Sequence, residues 1–191
     1  RMNSGGAHLV LDVTPDMAVF SKAIGNGYPI AAVIGKAGVM EAAQSTFISS
    51  TCWTERVGPT AAIATINKHR RVNAGEHLVT IGKQVQAGWR QLAEKYNLPI
   101  HVSGIPPLSH FAFKAENAMA LKALFVQLML EQGFLASTSF YSMLPHTAEH
   151  VGAYLRATDI AFAEMADRQS RGEVEAGLVG EPAVAGFKRL V

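Results

Sequence analysis

The stretch PDMAVFSKAIGNGYPIAAVIGK, Pro15 to Lys36, decides how the chain is read. Pro15-Asp16 is a turn signal, Met17 to Phe20 is short, apolar and extended in character, and Lys22 follows at its end. Gly25-Asn26-Gly27-Tyr28-Pro29 then reads as a turn, and Ile30 to Ile34 as a second short strand. Two strands and a tight loop are therefore expected to enclose Lys22 at the C-terminal end of a buried strand. Most lysines simply reach for water. This one is delivered to a turn whose two glycines let the backbone approach a ligand, and a desolvated lysine is a nucleophile toward carbonyls. Those features suit a Schiff-base amine. They do not suit a nucleotide loop, because the segment has neither GxxxxGK[ST] nor GxGxxG spacing.

Outward from the lysine, Gly38 to Ala42 reads as a helix, and the alanine-rich run from Val57 to Val72 as a largely buried helix with basic residues at its C-terminal end. Asn73-Ala74-Gly75 should stop it. Leu78, Ile81, Val85, Trp89 and Leu92 recur at helical spacing within a helix from about Glu76 to Tyr96. Beyond Pro99, IHVSGIPPLSHFAFK reads as two strands broken by Pro106-Pro107, and Asn117 to Gln132 as a helix. Phe134 to Phe140 is a further strand candidate, and a last long helix starts near Thr147, whose hydroxyl can cap it. From Gly172 a frayed helix end and a tail are expected. The order of elements implies an α/β domain over 1–75, a connecting helix over 76–97 and a small α+β domain over 98–191.

The chain has 191 residues, a formal charge of +2 and one cysteine, Cys52, and 49% of its residues are apolar. So small a charge, with no basic run longer than His69-Arg70-Arg71, argues against nucleic acid or a membrane surface as partner. A lone cysteine forms no internal disulfide and no cysteine zinc site, which suits a cytoplasmic protein. Cys52 itself is expected to be a small packed residue. The chain opens on Arg1-Met2-Asn3-Ser4-Gly5-Gly6, without an initiator methionine or targeting pattern, and is expected to be part of a longer protein.

The segment PDMAVFSKAIGNGYPIAAVIGK resembles the lysine region of the class III pyridoxal-phosphate-dependent aminotransferases, with the glutamate-1-semialdehyde 2,1-aminomutase branch the nearest match. Ser49-Ser50-Thr51, about thirty residues on, is similar to the family's small-small-Thr segment, and LASTSFYSMLPHT, Leu135 to Thr147, to its C-terminal strand and the "HT" before its last helix. The resemblance implies the C-terminal portion of a fold-type I transferase: part of the large pyridoxal-phosphate-binding domain plus the small α+β domain. It implies pyridoxal 5'-phosphate as cofactor and Lys22 as the Schiff-base lysine that also moves a proton to and from the substrate carbon. Ser50 and Thr51 would bind the phosphate of the neighbouring subunit's cofactor, which implies a homodimer acting on a small amino or keto substrate.

The resemblance also carries departures. Arg1 matches the arginine of a Gly-x-Arg that follows the family's Asp-Glu-Val segment, so the aspartate that pairs with the pyridine nitrogen would precede Arg1. The chain taken alone is accordingly expected to be inactive or nearly so. Tyr141 stands where the aminomutase branch has a glutamate, which leaves transamination of another substrate as strong an expectation as aminomutation. Two alternatives remain: a non-catalytic dimerising structural fragment, and a zinc hydrolase using His146 and His150 of the HTAEH sequence. The second needs both imidazoles on one helix face at i and i+4. Pro145 and a Thr147 cap would instead leave His146 outside the helix.

Overall fold

The computed structural model describes residues 1–180, and the chain divides into two compact units, Arg1–His77 and Leu78–Val191. In the first unit, strands β1 (Met17–Phe20) and β2 (Ala32–Gly35) pair antiparallel, with Met17 opposite Gly35 and Phe20 opposite Ala32. At the open end of this hairpin the Lys36 backbone N–H donates to Asp16 O at 3.0 Å, and Lys36 Nζ donates to Asp16 Oδ1 at 2.7 Å. The expected buried strand is not found. β1 alternates exposed and half-buried positions, and Val19 is 69% exposed. Two strands supply one layer, and a strand is buried only when a second layer lies on it.

A single turn of helix, α1 (Ala37–Met40), continues into a 3-10 segment over Glu41–Ser45, and α2 follows over Val57–Arg71. Only Gly58 and Ala62 of α2 are buried, so the alanine-rich pattern does not make the largely buried helix expected of it. Its small residues mark a line of close approach. A Cβ on Gly58 would lie 2.9 Å from Pro29 O and 3.2 Å from Ile30 Cβ, so α2 braces the loop between the two strands at backbone distance. Lys68, His69, Arg70 and Arg71 crowd the last turn of α2, where cations complement the helix dipole. Asn73, at φ 46°, breaks the chain for one step only, and α3 (Ala74–Lys95) begins at once with Gly75 inside it.

The second unit holds the main apolar core. Leu78, Ile81, Val85 and Trp89 of α3 are buried as their spacing predicts, and Asn97 at φ 53° ends the helical path. Strands β3 (Ile100–Ser103), β4 (Leu108–Phe113) and β5 (Ser139–Tyr141) form an antiparallel sheet in the order β3-β4-β5. Helices α4 (Ala118–Glu131) and α5 (Ala148–Arg171) bring Phe125 and Phe162 against Phe111 of β4, with ring centroids 5.2 and 5.9 Å away in edge-on geometry. Trp89 lies 4.9 Å from the same ring and donates its indole N–H to Tyr154 OH at 3.1 Å. Burial pushes the Tyr154 phenol up to about 12, against the opposing pull of the bonds from Trp89 and Thr158.

The strand expected over 134–140 is shorter and later than the apolar pattern implied. Phe134 N–H donates back to Met129 O and Ala136 N–H to Phe134 O, so this stretch turns on itself and Leu135 is 97% exposed. The register with β4 begins at Ser139, opposite His110, and the Phe111 N–H donates to Thr138 O at 2.9 Å just before it. Gly172 ends α5 in the left-handed conformation, at φ 69°. The expected tail falls partly on 181–191, outside the described residues. Among the described residues no helix is long and apolar enough to cross a membrane.

Candidate active site

Lys22 sits one residue past β1, at the start of a 3-10 turn over Lys22–Ile24 that is closed by Ile24 N–H to Ser21 O at 3.4 Å. Its backbone is left-handed, with φ 53°. Of the five non-glycine residues with positive φ among those described, the other four are Asp12, Asn26, Asn73 and Asn97, types whose short polar side chains tolerate that region. A lysine has no such compensation, and a cost of roughly 1–2 kcal/mol is the usual penalty. Strain of this kind persists where the surroundings impose it and where a side chain must be aimed.

Those surroundings are visible. A Cβ on Gly25 would lie 2.2 Å from Tyr28 O, Asn26 has φ 47° and Gly27 has φ 107°, so the GNGYP loop folds tightly on its own backbone. α2 packs on the Lys22–Ile24 turn. Among the described residues the Lys22 amine has neither ion pair nor hydrogen bond, whereas Lys36, fourteen positions on in the same stretch, is paired with Asp16. Lys22 is exposed, so the desolvation expected for a nucleophilic amine is not provided by these residues. Within the first unit, β1 beside it is at most half-buried.

Ser50 and Thr51 lie in an exposed segment of the same unit, where Thr51 opens a turn closed by Trp53 N–H to Ser50 O at 3.2 Å. Ser45 and Thr46 just before them return their hydroxyls to Ala42 O and Ala43 O, the usual local habit of these residues. The Ser50 and Thr51 hydroxyls make no such bond. Among the described residues no hydrogen bond joins either of them to Lys22. Cys52, expected to be packed, is exposed because it rides on the same surface turn.

HTAEH takes a different form from a metal motif. Thr147 is the N-cap of α5, His146 stands before it, and His150 Nδ1 accepts the Thr147 N–H at 3.2 Å. His146 Nδ1 accepts the Met143 N–H at 3.2 Å, and its ring lies 5.1 Å from that of Phe140. The two imidazoles therefore do not share a helix face, and each spends a ring nitrogen on the backbone. Sequence reading found the Thr147 cap but missed the His150 half of it. The signal was present, since a capping box needs an acceptor three residues after the cap.

Comparison with known proteins carries the identification. The model of the family described as aminotransferase class-III matches residues 4–150. The chain belongs to that family. Among curated relatives, the 3-aminobutyryl-CoA aminotransferase of Cloacimonas acidaminovorans is 32% identical over 181 residues, 92% of this chain and 42% of that protein. Glutamate-1-semialdehyde 2,1-aminomutase 2 of Lysinibacillus sphaericus is 31% identical over 183 residues, 87% of this chain and 42% of its own length. A solved structure of the PLP internal aldimine form of the FumI protein of Sphingopyxis sp. MTA144 matches with a TM-score of 0.79 at 24% identity, over 92% of this chain and 41% of that one. The fold is thus that of the pyridoxal-phosphate transaminases, and this class III chain spans about two fifths of the relatives it matches.

Pyridoxal phosphate is the cofactor of the family. The groups present here fit it in kind: Lys22 offers a primary amine without a partner among the described residues, on a backbone held by its loop, and Ser50 and Thr51 offer two hydroxyls not consumed by local bonds.

Proposed function

We propose that the whole protein of which these residues are a part transfers amino groups, as an aminotransferase or an aminomutase, with Lys22 as its catalytic lysine. When bound, pyridoxal phosphate supplies the electron sink that such chemistry needs. Lys22 Nζ would hold the cofactor and, as a base within reach of the substrate, would carry a proton to and from the substrate carbon. The left-handed backbone at Lys22 fixes where the amine leaves the end of β1, and the GNGYP loop keeps the neighbouring backbone clear of side-chain bulk. Ser50 and Thr51 would hold the phosphate of the partner subunit's cofactor, so the working unit would be a homodimer; the cytoplasm is the compartment proposed for it. The curated relatives carry both transaminase and aminomutase names, and with Tyr141 in place of the aminomutase glutamate, transamination of another substrate stands level with aminomutation.

The observation that carries this reading is a strained, exposed lysine without ion pair or hydrogen bond among the described residues, placed between a strand end and a double-glycine loop within the matched region. The test is borohydride reduction of the protein with pyridoxal phosphate, followed by peptide mapping. The cofactor mass is expected on the peptide that carries Lys22 and absent in Lys22→Ala. A label spread over other lysines and unchanged in Lys22→Ala would overturn the assignment. No label on these 191 residues, with a label in a chain extended to the relatives' full length, would make this stretch a dimerising part that needs the rest of the large domain.

A further inference from the structure

We infer that Ile30 is a positioning residue for Lys22, packed on Gly25 and Gly58 at distances that only glycine allows, so that it ties the lysine's turn to α2. A Cβ on Gly25 would lie 2.7 Å from Ile30 Cγ2, and one on Gly58 would lie 3.2 Å from Ile30 Cβ and 3.7 Å from Ile30 Cδ1. Both glycines are buried and Ile30 is half-buried. Gly25 has an ordinary right-handed backbone, φ −88° and ψ −12°, so no dihedral angle calls for glycine there. Gly58 stands in the first turn of α2, and glycine is a poor helix former. What both positions require is room, and Ile30 takes it up together with the carbonyl oxygens of Tyr28 and Pro29.

The tie reaches Lys22 through one hydrogen bond, because the Gly25 N–H donates to Lys22 O at 3.3 Å. Lys22 keeps φ 53° without the short polar side chain that eases this region for asparagine and aspartate, so its conformation is imposed from outside the residue. Val33 and Ile34, which follow in the same stretch, are exposed, and the large fully buried side chains all belong to the second unit. Where so little is buried, local opening is easy and a single packed isoleucine matters. The consequence for function rests on the reading of Lys22 as the catalytic lysine. A turn free to relax would no longer aim the amine, and a displacement of about 1 Å can cost on the order of a hundred-fold in rate.

NMR couplings and Cα shifts report φ at Lys22 with no cofactor present. The wild type and Ile30→Val, which keeps Cβ and Cγ2, should show the left-handed signature. Ile30→Ala, which loses Cγ2, and Gly58→Ala, which puts a methyl group against Ile30 Cβ and Pro29 O, should lose it. Gly38→Ala is the control, since a Cβ there would meet nothing within 4 Å. Amide protection along α2 should hold or rise in Gly58→Ala, because alanine favours helix, which separates loss of the tie from general unfolding. With pyridoxal phosphate and borohydride, the rate of trapping on Lys22 is expected to fall about ten-fold in Ile30→Ala and to hold in Ile30→Val. A left-handed Lys22 in both Ile30→Ala and Gly58→Ala, or unaltered trapping in Ile30→Ala, would overturn the positioning role. Absence of trapping on Lys22 in the wild type would fail the catalytic-lysine reading instead, and φ at Lys22 would still decide whether Ile30 holds the turn.

Discussion

Lys22 shows how much of a candidate site can rest on one backbone angle. Its type and its place after an apolar run are readable from the chain, but its left-handed φ of 53° is not, since nothing about lysine favours that region. The surrounding loop imposes the angle. Lys22→Asn, which tolerates the left-handed conformation, is expected to stabilise the first unit by about 1 kcal/mol relative to Lys22→Ala, which keeps the penalty. Urea denaturation reads this as a higher midpoint at an unchanged slope. A lower midpoint for Lys22→Asn would show that the angle is unstrained in place. The same residue accounts for the main difference from the sequence reading, because burial of its amine depends on a layer over the hairpin, which is a property of distant residues.

At the scale of elements, spacing and punctuation explain most of what forms. The face of α3 that carries Leu78, Ile81, Val85 and Trp89 is buried as its period predicts, and Pro106-Pro107 does separate β3 from β4. The same logic fails for β5, where FLASTSF looks uniformly strand-like while the register with β4 begins at Ser139. A clasp between α3 and α5 was not legible either. Asp159 Oδ1 accepts from Lys95 Nζ at 2.7 Å and from Tyr96 OH at 2.8 Å, joining residues more than sixty positions apart. The Lys95 hydrogen bond, then that of Tyr96, holds the Asp159 carboxyl below its ordinary value, while the same bond raises Lys95. A depressed carboxylate contributes fully above the unfolded value of 3.8 and loses its contribution as pH falls through the lower folded value. Lys95, with a raised value, contributes below 10.5 and loses it as pH climbs past the folded value. The group is well exposed and screened, so the effect is small. Asp159→Asn should flatten the acid limb of a Tm profile below about pH 4 with little change at neutrality. An acid limb as steep as the wild type's would assign the loss to other carboxylates.

Across the whole molecule, the apolar core is unevenly distributed. The large fully buried side chains, Trp89, Phe125, Phe162, Leu121 and Leu124, all belong to the second unit. The first unit leaves Val19, Val33, Ile34, Phe47 and Ile63 at the surface. Few buried contacts mean low local opening energies. Hydrogen exchange followed by mass spectrometry should therefore protect α3, α4 and α5 for far longer than β1, β2 and the segment through Ser50 and Thr51. Equal protection would mean that the first unit is covered in solution, as the dimer proposed above would do, and size-exclusion measurements at several concentrations would show it.

What the amino-acid sequence determined by itself was local and periodic: the helices of the second unit, the turns at proline and glycine, the Thr147 cap, and a lysine between a strand end and a double-glycine loop whose motif points to its family. These follow from sterics and spacing within a few residues. Only the tertiary structure decided that β1 is at most half-buried and Lys22 exposed, that Lys22 is left-handed, that α2 is mostly open, and that His150 completes a cap instead of a metal site. Exposure, strain and hydrogen-bond partnership depend on which side chains and backbone groups arrive from elsewhere in the chain, and a local pattern carries no record of them.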